Sequence, residues 1–241
     1  YKIMKAFISI LLYINACITF IIVGPLFILF SFILPRKLMY RSSKIVCFFA
    51  LHSLGIRVVM NGAPPKEGSY IYMLNHASFI DPFIFAYTMN APATALVAKE
   101  NYKYPIWNSM LKRWKAIPIE RKNKESAIES IKAAEKILNT GISVVILPEG
   151  TRTVTGNLSR FKKGGFHMAY NTKVPIVPVG SIGAFEFKPK NRWTLSPREI
   201  TINYGEPIDP NIYDSLGVDG LLKHTEQEIK RLTNRKFEDQ C

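Results

Sequence analysis

With 241 residues and 48% hydrophobic side chains, the chain is long and apolar enough to close one sizeable core, which excludes a disordered tail or linker. Lys and Arg outnumber Asp and Glu by 32 to 18, so partners are expected among anions: nucleic acid, anionic lipid headgroups or phosphorylated small molecules. The cysteines, Cys17, Cys47 and Cys241, are too scattered for a disulfide framework or a zinc signature, and a reducing cytoplasm fits them.

The chain opens on Tyr1, which hints that the native start lies upstream. Residues 6–34 carry no charged side chain and exceed the roughly 20 apolar residues that cross a bilayer, so this segment is expected to meet lipid. Lys2 and Lys5 precede it, and Arg36, Lys37, Arg41 and Lys44 follow, so a single span would leave the body of the protein on the cytoplasmic side. A hairpin dipping into one leaflet is the other reading, because Gly24-Pro25 interrupts the run and a second apolar stretch follows at 44–59. A signal peptide fits less well, since the run is too long for an h-region and no small-x-small cleavage site follows.

From residue 56 short strand-like runs alternate with helical ones. "IRVVMNG", "SYIYML", "TALVAK" and "AIPIE" read as strands, with a helix opening at Asp81-Pro82 between the second and third. Residues 124–139 space Ala127, Ile128, Ile131, Ala134, Ile137 and Leu138 as one face of a helix that Gly141 stops. A buried strand "ISVVILPEG", a polar loop at 151–160, a short helix "GGFHMAYNT", strands "VPIVPVGSI" and "REITINYGEPI", and a charged helix near 217–236 complete the chain. This order predicts an α/β fold with a mixed, largely parallel sheet flanked by helices. The expected units are a membrane-associated segment at 1–60, spanning or hairpin, and a catalytic domain at 61–241.

His76 stands where "YIYML" should end, a position where binding groups gather in α/β sheets. Asp81, five residues on and before Pro82, reads as a helix N-cap, and an anchored carboxylate could also fix the tautomer of His76 and leave its other nitrogen basic. Neither a G-x-S-x-G motif nor a cysteine near His76 supplies a nucleophile, which suggests that the hydroxyl to be deprotonated belongs to a substrate. By itself a His-x4-Asp pair is equally a strand end and a cap.

In "LPEGTRT", at 147–153, Gly150 permits a tight turn, while Thr151 and Arg152 offer donors suited to phosphate. Glu149 is awkward beside an anion and is expected to orient Arg152 or backbone donors; an ordinary surface turn is the alternative. Lys99 and Arg121 also follow strand-like runs and would share the edge of His76 in a parallel sheet, with solvated charge as the alternative for each. His52, His167 and His224 read as packed or solvated side chains without metal-ligand company.

In order, "NHASFID" (75–81), "AIPIER" (116–121), "LPEGTR" (147–152) and "VPIVPV" (174–179) resemble the four blocks of the glycerophospholipid acyltransferase family, the lysophosphatidic acid acyltransferases in particular. The resemblance covers residues 55–210. It implies that His76, oriented by Asp81, is the general base on the free hydroxyl of a lysophospholipid, which attacks the thioester of an acyl carrier. It further implies that Arg121 and the turn of Glu149, Gly150, Thr151 and Arg152 hold the acceptor phosphate, with Lys99 a further candidate, and that "VPIVPV" walls the acyl pocket. Lys115 departs from the pattern where glycine is frequent, and Leu147 where phenylalanine is usual. The implied partners are a lysophospholipid, acyl-CoA or acyl carrier protein as co-substrate, and membrane lipids; no cofactor or metal is implied, and nucleic acid is disfavoured because the basic residues are scattered. Another acceptor, such as glycerol 3-phosphate or a different lyso-lipid, and a non-catalytic membrane-surface scaffold are the rival readings.

Overall fold

The computed structural model describes residues 2–120 and 124–238. Its first element, α1 (Lys2–Ile33), is one unbroken helix, and Pro25 lies inside it without ending it. Its buried residues are Ser9, Gly24 and Ser31, whereas bulky side chains such as Ile3, Phe7, Ile21 and Ile33 point outward. That is the reverse of a water-soluble helix, where the small and polar positions face solvent. The chain turns at Leu34 and Pro35 into α2 (Arg36–Ser53), which packs back against α1 to make a helical hairpin.

The second apolar stretch divides as the strand reading of "IRVVMNG" expects: α2 ends, Gly55 turns with φ +71°, and β1 (Ile56–Asn61) begins. The boundary expected at residue 60 therefore cuts through a strand. Leu51 of α2 and Leu54 just after it also belong to the domain core, so the hairpin and the sheet share packing.

The remaining elements are β2 (Ile71–Leu74), α3 (Asp81–Thr88), β3 (Ala93–Ala98), α4 (Pro105–Arg113), β4 (Ile117–Ile119), α5 (Lys124–Leu138), β5 (Ser143–Ile146), α6 (Gly164–Thr172), β6 (Ile176–Ile182), α7 (Ala184–Phe187), β7 (Arg198–Tyr204) and α8 (Tyr213–Thr233). The strands form one seven-stranded sheet in the order β1-β7-β6-β2-β5-β3-β4. Every neighbouring pair is parallel except β6 with β7, so the expected mixed, largely parallel sheet is present. All four residues of β2 are buried and β6 is buried along nearly its whole length, as central strands covered on both faces require. One apolar cluster gathers α2, α3 and α7 on one face, and another gathers α5, α6 and α8 on the other.

α4, which the sequence reading left unassigned, ends in a left-handed turn. Lys115 has φ 53°, its amide donates to Lys112 O at 3.0 Å, and Ala116 N donates to Leu111 O at 2.8 Å. Glycine is the residue that adopts this conformation without strain, which gives a physical meaning to the departure at Lys115.

Candidate active site

β5, β2 and β6 lie side by side and parallel, so their C-terminal ends open at one sheet edge. Such edges collect binding groups because the loops that leave them are free of ladder hydrogen bonds. β2 delivers His76 to this edge and β5 delivers the 149–152 turn.

His76 Nδ1 lies 2.8 Å from Asp81 Oδ2. The same carboxylate oxygen accepts from Ala77 N at 2.8 Å and Ser78 N at 2.9 Å. Asp81 is thus the first residue of α3 and does not cap it; its side chain turns back to fix the loop that carries the histidine. The N-cap expectation is corrected here, because three donors of one tight loop converge on a buried carboxylate and outcompete the helix amides. With Asp81 accepting at Nδ1, the neutral ring keeps its proton there and presents Nε2 as a base. Among the described residues Nε2 has no hydrogen-bond partner. Ser78, the serine nearest in sequence, is fully buried and donates to Lys188 O at 3.1 Å, away from nucleophilic duty.

Glu149 holds the loop from the β5 side. Its Oε1 accepts from His76 N at 2.7 Å and its Oε2 from Ser159 N at 2.8 Å, while Thr153 N donates to His76 O at 3.0 Å. Both backbone polar groups of His76 are therefore satisfied by the 149–153 segment. Of the two roles expected for Glu149, the structure places it on backbone donors and not on Arg152. Burial pushes its carboxyl up to about 7; the amide bonds from His76 and Ser159 oppose that rise, and the nearby Asp81 adds to it. Gly150 has φ 75°, and a Cβ there would meet Lys162 Nζ at 2.9 Å, so glycine admits that lysine over the turn.

Thr151 is exposed and Arg152 half-buried beside these groups. Lys99 occupies the same sheet edge, but β5 separates its strand from that of His76, and it pairs with Glu120 at 3.2 Å on an exposed surface. Two strand spacings, on the order of 10 Å, lie between the two exits. Arg121 lies outside the described residues. Among those described, no group of three or more His, Cys, Asp or Glu side chains gathers as a metal site.

His76, Asp81, Gly150 and Lys162 border a cavity of about 950 Å³. Its walls are apolar and come from α1 (Gly24, Phe27), α2 (Tyr40), β3 (Val97), α4 (Met110) and Trp114 just past α4. Trp114 makes edge-on contacts with Phe27 and Tyr40, at ring separations of 6.1 and 5.1 Å, and closes the α1 side. No residue of 174–179 lines this space. "VPIVPV" is instead the buried centre of the sheet, and the expectation that it walls the pocket is corrected: β6 is covered on both sides by β2 and β7.

A family model described as Acyltransferase matches residues 55–182. The chain belongs to the acyltransferase family. The acyltransferase match contains His76, Asp81, Lys99 and the 149–152 turn, and it ends with β6. A 1-acyl-sn-glycerol-3-phosphate acyltransferase of Cocos nucifera is 35% identical over 156 residues, covering 64% of this chain and 51% of that protein. One from Borreliella burgdorferi is 32% identical over 182 residues, 75% of this chain and 68% of that protein. The chain thus spans about half the length of the Cocos relative and 60% of a Limnanthes alba relative that is 31% identical over 170 residues, 70% of this chain. The crystal structure of the 1-acyl-sn-glycerophosphate (LPA) acyltransferase PlsC from Thermotoga maritima superposes with a TM-score of 0.80 at 26% identity, covering 95% of each chain.

The sequence reading missed Thr153, Ser159 and Lys162, which secure or border the site. Their signal is tertiary, since each acts through a backbone or packing contact and carries no motif of its own.

Proposed function

We propose that the chain transfers a fatty acyl group from an acyl thioester to the free sn-2 hydroxyl of lysophosphatidic acid, giving phosphatidic acid. The observation that carries this reading is the imidazole of His76, fixed by Asp81 at 2.8 Å, at the rim of a large apolar cavity. A hydrocarbon chain in that cavity would bring its thioester to the rim, and an amphiphilic acceptor would meet it there. His76 Nε2 takes the proton of the acceptor hydroxyl as its oxygen bonds to the thioester carbonyl carbon. The C–S bond then breaks, and the thiolate leaves with the proton from the imidazolium. Asp81 holds the ring and offsets its transient charge, and Glu149 keeps the loop in register. Arg152 and Thr151 supply donors for the acceptor phosphate. The apolar outer face of α1 supports membrane association, and the basic flanks favour the cytoplasmic side for the catalytic domain.

The test is acyl transfer from radiolabelled acyl-CoA, and in parallel acyl carrier protein, to lysophosphatidic acid in detergent or vesicles. Glycerol 3-phosphate is assayed beside it. His76→Ala should lower turnover about 100- to 10,000-fold. Folded His76→Ala protein with a near-normal rate would sink the mechanism, and preference for glycerol 3-phosphate would reassign the acceptor. No transfer from either donor by the parent chain would favour the scaffold.

A further inference from the structure

We propose that Lys188, which lies beyond the family match, forms with Arg152 a two-sided clamp for a phosphomonoester, the headgroup of the lipid acceptor. The proposal rests on the acceptor reading above and adds the residue that recognises the phosphate from the β6 side.

β6 is the parallel neighbour of β2 opposite β5, so its exit opens at the same edge as His76. Adjacent strands are about 4.8 Å apart; β6 continues through the short α7, and Lys188 at the end of that helix is returned to the histidine loop by its own contacts. Both cations are tied to the histidine loop. Thr153, next to Arg152, donates its amide to His76 O at 3.0 Å. Lys188 O accepts from Ser78 Oγ at 3.1 Å, and Lys188 Nζ sits 5.7 Å from the ring centre of Phe79.

The charge arrangement points to an anion. Several other basic side chains have carboxylate partners: Lys99 with Glu120, Lys163 with Asp219, Lys173 with Asp214 and Arg235 with Glu186. Among the described residues neither Lys188 nor Arg152 has one. Burial first, then Arg152 and Arg192, lowers the pKa of Lys188. Arg192 is committed to the scaffold, since its guanidinium donates to Thr194 O at 3.0 Å, Glu186 O at 2.7 Å and Phe187 O at 3.1 Å. Like charges held together without a counter-ion repel one another, and a dianionic phosphate between Lys188 and Arg152 relieves that repulsion.

The same loop touches the lipid-facing helix. Leu195 N donates to Ser9 Oγ at 2.9 Å, and Tyr13 OH donates to Trp193 O at 2.7 Å. A single-chain lipid could keep its tail against the outer face of α1 while its phosphate reaches Lys188. Lys99 stands on the other flank of the sheet and already has an acidic partner.

The experiment measures equilibrium binding by the full-length chain in neutral mixed micelles without acyl donor, using lysophosphatidic acid and the phosphate-free monoacylglycerol. The parent should prefer the phosphorylated lipid. Lys188→Met, which keeps an unbranched stem, should weaken lysophosphatidic acid binding about ten- to hundredfold, the worth of one charged hydrogen bond, and leave monoacylglycerol unchanged. Lys188→Arg should retain most of the preference. Competition by glycerol 3-phosphate at equal concentration would keep the clamp and assign it to a soluble phosphomonoester. Unchanged lysophosphatidic acid binding by Lys188→Met, or equal loss for both lipids, overturns the proposal. A parent that does not distinguish the two lipids overturns the acceptor reading, and the clamp with it.

Discussion

Glu149 joins two loops through one carboxylate, and its burial makes that link pH-dependent. Its folded pKa of about 7 lies above the ordinary 4.5, so the folded state binds the proton more tightly than the unfolded chain. The stability this group contributes is complete below pH 4.5 and is lost as pH rises through about 7. At 1.36 kcal/mol per pH unit the change amounts to roughly 3 kcal/mol at most. Thermal unfolding of the parent and of Glu149→Gln, which cannot titrate, should show the parent's relative stability falling between pH 5 and pH 8. A rise over that interval would mean that the amides of His76 and Ser159 hold the carboxylate ionised in spite of burial. At this scale the sequence exposed chemistry better than geometry. Spacing left the His76–Asp81 pair open and the resemblance of the four blocks favoured it, while Asp81 was read as a cap because Asp-Pro opens a helix. The competing amides of Ala77 and Ser78 belong to a loop whose path no local propensity specifies.

All seven strands were legible as hydrophobic runs, because alternation and β-branched content are local properties. Their neighbours were not, since pairing joins residues far apart in sequence: β7 beside β6 in the opposite direction, and β1 at the edge as part of the sheet. The cavity walls were equally hidden, being drawn from separate helices and strands that only the fold assembles. α1 is one of those elements, and this gives a test of what the cavity holds. Gly24 lines it, and a Cβ at that position would meet Phe20 at an ordinary 3.5 Å. Gly24→Leu therefore starts from a Cβ that meets no clash, improves helix propensity and adds apolar volume at a position that lines the cavity. Each methylene of an acyl chain excluded from apolar burial costs about 0.8 kcal/mol, or about fourfold in binding. Across saturated acyl-CoA donors of increasing length, Gly24→Leu should lose the longest first and keep the shortest. An equal loss at every length would mean that the acyl chain lies elsewhere.

The outward apolar face of α1 needs lipid, yet the attachments of the helix decide how the whole molecule meets a membrane. Near its start, Ser9 accepts from Leu195 N and Tyr13 donates to Trp193 O; Asn15 donates to Ser53 O at 2.9 Å. Near its end, Arg113 donates to the carbonyls of Ser31 and Leu34, where a cation complements the helix terminus. From Ser9 to Ser31 the helix advances about 33 Å, as long as the hydrocarbon core is thick, roughly 30 Å. A helix upright in the bilayer would draw either Arg113 or the 193–196 loop into hydrocarbon together with the domain that carries it. An orientation with α1 along one interface leaves both attachments in place and turns the exposed apolar side chains toward acyl tails. Of the two arrangements open from the sequence, the hairpin in one leaflet is the one that keeps both sets of contacts. In a background lacking the three native cysteines, Lys2→Cys marks the start of α1 and Leu38→Cys, in the first turn of α2, the far side of its end. A membrane-impermeant thiol reagent added outside sealed vesicles should modify both or neither, according to the side on which the protein sits. Modification of one from outside and of the other only after the vesicles are opened would establish a span and require one of the two sets of attachments, at Arg113 or at the 193–196 loop, to break on insertion.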